Sequence, residues 1–277
     1  MTCVMTRHVE PTAVGPLTDA PLRLALVQAR TSPMLALERP DTVEHLLKVL
    51  TGWELTDRQS NVELAVHLGA GGIEQRQSRP ETVWVLTAPS QQFRAVLSAS
   101  SVAVECDRYS LWPDFDSALG EVFRAVAQVG EPSRCVRFGM RYVNEIRDEA
   151  RLSGEDPSQL TEFLAEELVA IQLSLSRPVA GSLAEIRVRE DFGVLAVRHG
   201  LVEPGRYLLD MDAYSEESSA FDVDTLMVLA TRFHARIESF FGWALAPEYL
   251  AGLAARMGSE ERATNHDDSA AQGEETS

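Results

Sequence analysis

The chain has 277 residues, 45% of them hydrophobic and 24% charged, with a formal net charge of −17 at pH 7. That length can bury a large core in one domain or two, and the composition is that of an ordinary globular protein. The acidic balance argues against non-specific nucleic-acid binding, which needs basic surface to displace counterions from phosphate.

Residues 1–20 are rich in Thr, contain Pro11, Gly15 and Pro16, show no periodicity and read as a flexible lead-in. They lack the continuous apolar segment of a secretory signal. No later run approaches the roughly 20 apolar residues that span a bilayer. A cytoplasmic protein without membrane contact is expected. Cys3, Cys106 and Cys135 show no C-x-x-C spacing, so neither a disulfide framework nor a zinc site is indicated. Lys48, in "EHLLKVLTG", is the only lysine, which excludes P-loop, Schiff-base and kinase lysine chemistry.

The folded body is expected over 21–257. "PLRLALVQAR" reads as a strand in which Leu22, Leu24 and Leu26 share one face. "RPDTVEHLLKVLTG" reads as a helix capped by Asp41 or Thr42 and ended at Gly52. "NVELAVHLG", "TVWVLTA", "QFRAVLSA" and "SVAVECDRY" follow as short strands separated by turn signals, as in an antiparallel meander. "PDFDSALGEVFRAVAQVG" is an amphipathic helix with Phe115, Leu119, Val122, Phe123 and Val126 inward. Residues 134–146 form the next strand.

The remainder runs similarly. A loop and short helix, "LSGEDPSQLTEFLA", precedes the predicted strands "LVAIQLSLS", "LAEIRVRE", "GVLAVRHG" and "RYLLDMDAY". A long helix, "DVDTLMVLATRFHARIESFF", turns Leu226, Leu229, Ala230, Phe233, Ile237 and Phe240 inward, and "APEYLAGLAARM" closes the body. From Gly258 to Ser277 the chain is polar and acidic and reads as a disordered tail. Both strand-to-helix junctions carry Asp-x-Tyr-Ser followed by Phe-Asp: Asp107, Tyr109, Ser110, Phe115 and Asp116 against Asp212, Tyr214, Ser215, Phe221 and Asp222. The predicted class is therefore α+β, with largely antiparallel sheets in two similar halves, about 21–150 and 165–257, each packed on a long helix.

The motifs "YSLWPDF", "VRFGMRYVNEI" and "RFHARIESFF" carry a likeness over roughly residues 20–257. In them the chain resembles a sporadically distributed family of uncharacterised bacterial proteins of about this length. Members show an R-x-G-[LM]-R-Y-[VI]-N strand, matched here by Arg137, Gly139, Met140, Arg141, Tyr142, Val143 and Asn144. They also show an H-x-x-[IL]-x-x-x-F helix, matched by His234, Ile237 and Phe241. The resemblance implies fold and boundaries, and it implies no reaction, cofactor or ligand. The segment "GWALAPEY" departs from it in being less polar.

Strand alternation puts Val136, Phe138, Met140, Tyr142, Asn144 and Ile146 on one face, and Arg137, Gly139, Arg141, Val143 and Glu145 on the other. Two readings of the arginines compete. Guanidiniums about 13 Å apart along the strand could bracket a phosphate or carboxylate. Alternatively they pair across strands with Glu105, Asp107 or Glu185. Arg187 and Arg189 also share a face and could join them in a basic groove. His234, beside Arg232 and Arg236, is a candidate base with no orienting carboxylate legible in sequence. Asp116 and Asp222 are assigned to first helical turns, where backbone N–H groups attract a carboxylate. Trp243, Leu245, Tyr249 and Leu250 offer either a contact surface or a cover for the core.

With no metal or cofactor signature visible, the sequence reads as a non-catalytic binding or regulatory protein. Its partner would be a protein or a small anionic ligand, and self-association into a homo-oligomer is expected. The alternative is a metal-independent nuclease or phosphoesterase using the arginine-lined faces and His234.

Overall fold

A computed structural model describes residues 21–61, 64–69, 72–77, 81–109 and 111–253. The lead-in at 1–20, Cys3, Ser110 and the acidic tail at 258–277 lie outside the described residues. The architecture is α+β. One ten-stranded antiparallel sheet carries helices on one face, and a separate two-stranded hairpin pairs β3 (Leu64–Gly69) with β4 (Gly72–Gln77).

The large sheet runs from β2 (Glu54–Asn61) through β5 (Glu81–Thr87), β6 (Phe93–Leu97), β7 (Ser101–Cys106) and β1 (Leu22–Thr31) to β8 (Arg134–Arg147). It continues through β11 (Arg206–Ser215) and β10 (Gly193–Glu203) to β9 (Ala184–Glu190), while β12 (Ser219–Ala220) pairs with the start of β8. The first strand of the chain is thus central, between β7 and β8. Around the centre Ala25 opposes Tyr142, flanked by the pairs Leu24–Val143 and Leu26–Arg141. Ala25 also opposes Cys106 on β7, and Tyr142 opposes Met211 on β11.

Why one face is covered follows from alternation. Phe138, Met140, Tyr142, Asn144 and Ile146 of β8 are all buried, as are Val102, Val104 and Cys106 of β7. Onto this face pack α2 (Trp112–Val129) and α4 (Val223–Ala244), where Phe123 and Phe233 both meet Phe138. The inward residues predicted for α2 are all buried, and those of α4 are buried except Leu229, which is half-buried against the core. Helix α1 (Pro40–Val49) completes the layer against α2, and Trp84 of β5 donates its indole N–H to the Leu37 carbonyl just before α1.

Several expectations change. On β1 the buried face is Ala25, Val27 and Ala29; Leu24 and Leu26 lie half-buried on the other face, while Leu22, beyond a register shift, opposes Asn144 and packs half-buried against the core. Helix α1 has no side-chain cap: Pro40 opens it, its ring already set near the helical φ. The predicted strand "LVAIQLSLS" is helix α3 (Glu166–Leu175), which buries Leu168, Val169 and Gln172 and leaves Ile171 and Leu175 in solvent. Its apolar run has no clear period, and Glu166 and Glu167 in the first turn favour a helix start. Strand β2 was not expected, because "ELTDRQSN" is polar and lies at the sheet edge. The closing helix is described over 247–253. Leu245 is buried, and Trp243, Tyr249 and Leu250 pack partly buried against the core, so this segment covers the core. No helix among the described residues is long and apolar enough to cross a membrane.

Candidate functional site

Arg137, Arg141, Arg187 and Arg189 all project from the sheet face that carries no helix. Registers place Arg141 of β8, Asp212 of β11, Ala196 of β10 and Arg187 of β9 in one row, and Gly139, Tyr214, Val194 and Arg189 in the next. The arginines are interleaved with carboxylates. Arg141 holds Asp210 in a two-point contact at 2.7 and 2.8 Å, and Asp210 is only 4% exposed. This bond raises the Arg141 pKa further, so the guanidinium is charged at any ordinary pH. Arg187 pairs with Glu185 at 2.6 Å, and Glu185 also takes Arg198 at 2.9 Å. Arg189 has no ion-pair partner among the described residues.

Arg137 explains Gly139. Its side chain lies along the strand, with the guanidinium 4.3 Å from the Tyr214 ring centroid and 3.1 Å from Asp212. A Cβ on residue 139 would sit 3.1 Å from both the Arg137 guanidinium and the Tyr214 Cβ. The gap between the two arginines is therefore filled by Arg137 itself. Burial raises the Asp212 pKa, and Arg137 opposes that shift. The carboxylates that hold these arginines are Asp210 and Asp212, while Glu105 and Asp107 pair with Arg94.

The other face gathers the remaining conspicuous residues. His234 of α4 stacks on Trp112 at the start of α2, with ring centroids 4.3 Å apart and planes 9° from parallel. Its Nδ1 lies 3.0 Å from the Tyr142 hydroxyl, and Tyr142 donates to the Tyr109 hydroxyl at 3.3 Å. With that donation made, His234 supplies Nδ1–H to Tyr142 and turns a bare Nε2 toward Glu238, 3.9 Å away. Burial lowers the His234 pKa to about 4, raises that of Tyr109 to about 12, and raises those of Tyr142 and Glu238. The imidazole is neutral at pH 7, held by the Tyr142 hydroxyl and the stack on Trp112. The cluster ties the β7–α2 junction, β8 and α4 together.

The structure thus brings the four arginines onto one face and places His234 on the opposite one, since Arg141 and its neighbour Tyr142 point to opposite sides of β8. The three stretches "YSLWPDF", "RYVN" and "RFHAR" converge, but in Tyr109, Trp112, Tyr142 and His234 rather than in the arginines. Arg232 and Arg236 bond Asp191 and Glu190 at the β9–β10 turn. Cys106 and Cys135 are buried free thiols whose pKa burial pushes up. His199 is buried against the Tyr207 hydroxyl at 2.8 Å. Among the described residues no group of three or more His, Cys, Asp or Glu is placed to hold a metal ion.

No protein-family model matches the chain, and no curated protein matches it at a significant level. Sequence reading missed Asp210 and did not link Glu238 to His234. A signal for the first existed: the D-x-D of "LLDMDAY" has the alternation needed to face an R-x-x-x-R strand, but only the register says that β11 is its neighbour. For the second, His234 and Glu238 are separated by one helical turn.

Proposed function

We propose that the protein is a non-catalytic binding module, built by internal duplication, that presents its helix-free sheet face to a protein partner. The observation that carries this reading is the makeup of that face. Half-buried Leu24, Leu26, Val143 and Tyr214 lie among arginines that are already neutralised by Asp210 and Asp212. Around Arg137 and Arg141 the charge is compensated, and the surface offers apolar rows with fixed polar groups between them, the mixture found at protein contacts.

Duplication is supported by the register. Aligning Asp107 with Asp212 aligns Cys106 with Met211. These oppose Ala25 and Tyr142, which oppose each other at the sheet centre with the flanking pairs symmetrically arranged. A two-fold operation between β1 and β8 interconverts these pairs. The junction tyrosines have diverged: Tyr109 turns into the core beside Tyr142, whereas Tyr214 stays under Arg137.

The test is purification from the native host of the wild-type chain and of a Leu26→Asp/Val143→Asp variant. A stoichiometric partner that is present with wild type and lost with a variant of unchanged melting temperature supports the reading. A partner retained by the folded variant, or wild-type chain that purifies alone under native mass spectrometry, overturns it.

A further inference from the structure

The ten-stranded sheet has two free edges among the described residues, β2 and β9, and they are built differently. β2 is polar, and its pairing with β5 is interrupted between Leu55 and Asp57. An irregular, polar edge resists further pairing. β9 pairs with β10 without interruption from Ala184 to Glu190 and has no proline, lysine or bulge. Its extended path continues backward through Ser182, whose N–H bonds the Leu201 carbonyl. Two large apolar side chains stand exposed along this edge, Leu183 at 66% and Ile186 at 47%.

We infer that β9 is a pairing edge for a second copy of this chain, the two strands meeting antiparallel about a two-fold axis at Ile186. Directly opposed residues in antiparallel strands share a face, so a two-fold axis must pass through a residue pair. Centred on Arg187, the pairing sets two guanidiniums against each other. Centred on Val188, it sets Arg187 against Arg189 of the second copy. Like charges directly opposite are destabilising. Centred on Ile186, the like-charge contacts vanish: Glu185 opposes Arg187 of the second copy, twice by symmetry, while Ile186 opposes Ile186 and Ala184 opposes Val188. Leu183 then lies along the alkyl stem of Arg189, which has no ion-pair partner among the described residues. Glu185 already holds its own Arg187 and Arg198, and the incoming Arg187 approaches the same carboxylate from the second copy. The helix-free faces of the two copies become one continuous surface. This interface is separate from the face proposed for a protein partner, and either can fail without the other.

The full chain is tested by sedimentation at micromolar concentration and by disulfide cross-linking in a Cys3→Ser background, where Cys106 and Cys135 are buried. A wild-type dimer that Ile186→Lys converts to monomer, together with rapid oxidative cross-linking of Ile186→Cys and little of Val188→Cys, is expected, because only residue 186 opposes itself. A monomeric wild type, a dimer indifferent to Ile186→Lys, or cross-linking at 188 in preference to 186 overturns the inference. Ile186→Lys must keep the wild-type circular dichroism spectrum and melting temperature. If it does not, Glu185→Arg replaces it, and a dimer that persists in that variant likewise overturns the inference.

Discussion

At the scale of single residues, two side chains have consequences that can be measured. Gly139 is there because Arg137 occupies the space above it. Gly139→Ala should force the guanidinium off Tyr214 and Asp212 and cost about 1–2 kcal/mol, the scale of mild overpacking plus a weakened half-buried ion pair. Urea unfolding checks this, and an unchanged midpoint would show that Arg137 has another resting place. His234 gives a pH dependence with a defined sign. Its folded pKa is about 4 against an ordinary 6.5, so the native state holds the ring neutral while the unfolded chain protonates it. Stability from this group is fully present above about pH 6.5 and is lost as the pH falls toward 4. The loss is on the order of 3 kcal/mol. Burial lowers the His199 pKa in the same direction, and the raised Glu238, Asp116 and Asp212 act oppositely. The clean measurement is therefore the difference between wild type and His234→Gln across pH 4–7. Parallel stability curves would exclude a buried neutral imidazole.

At the scale of elements, the paired Phe-Asp signatures behave differently. Asp222 is the N-cap of α4 and accepts the Thr225 N–H at 2.8 Å. Asp116, assigned from sequence to the same role, lies deeper in α2; Asp114 occupies the first turn, and the buried Asp116 Oδ1 has no hydrogen-bond partner. Burial raises the Asp116 pKa accordingly. Asp222→Ala should cost about 1 kcal/mol, whereas Asp116→Asn should be neutral or stabilising, since it removes a carboxylate that burial penalises. Both follow from chemical denaturation. The contrast also shows how far the sequence was legible. α2, α4 and β8 were readable because their apolar period repeats over several turns or pleats. α3 was misread because its apolar residues surround it, and β2 was missed because a polar edge strand has no alternation to read. The arginine faces were correctly assigned by parity alone. Their partners were not, because pairing Arg141 with Asp210 depends on a strand neighbour 69 residues away.

At the scale of the whole molecule, one hydrophobic core runs from Trp53 and Trp84 to Phe240 and Leu253 and includes residues of β1, β7, β8 and β11 together. β1 and β8 make the sheet continuous across any division into halves. Unfolding should accordingly be a single transition, with far-ultraviolet circular dichroism and tryptophan fluorescence coincident. The tryptophans are well placed to test it: Trp53, Trp84 and Trp112 report the first part of the chain and Trp243 the end of α4. Two separated transitions would mean that each half holds its own core.

The central position of β1 also bears on how the chain is made. β1 is complete at Thr31, but its neighbours begin at Ser101 and Arg134. At translation rates of about 5–20 residues per second, β1 leaves the ribosome roughly 5–20 s before β8 has begun to follow it. Until β7 is made both edges of this apolar strand are open, and until β8 follows one of them still is. Its exposure to chaperones, and to other nascent copies, is set by the order in which three strands are synthesised and not by the stability of the finished sheet.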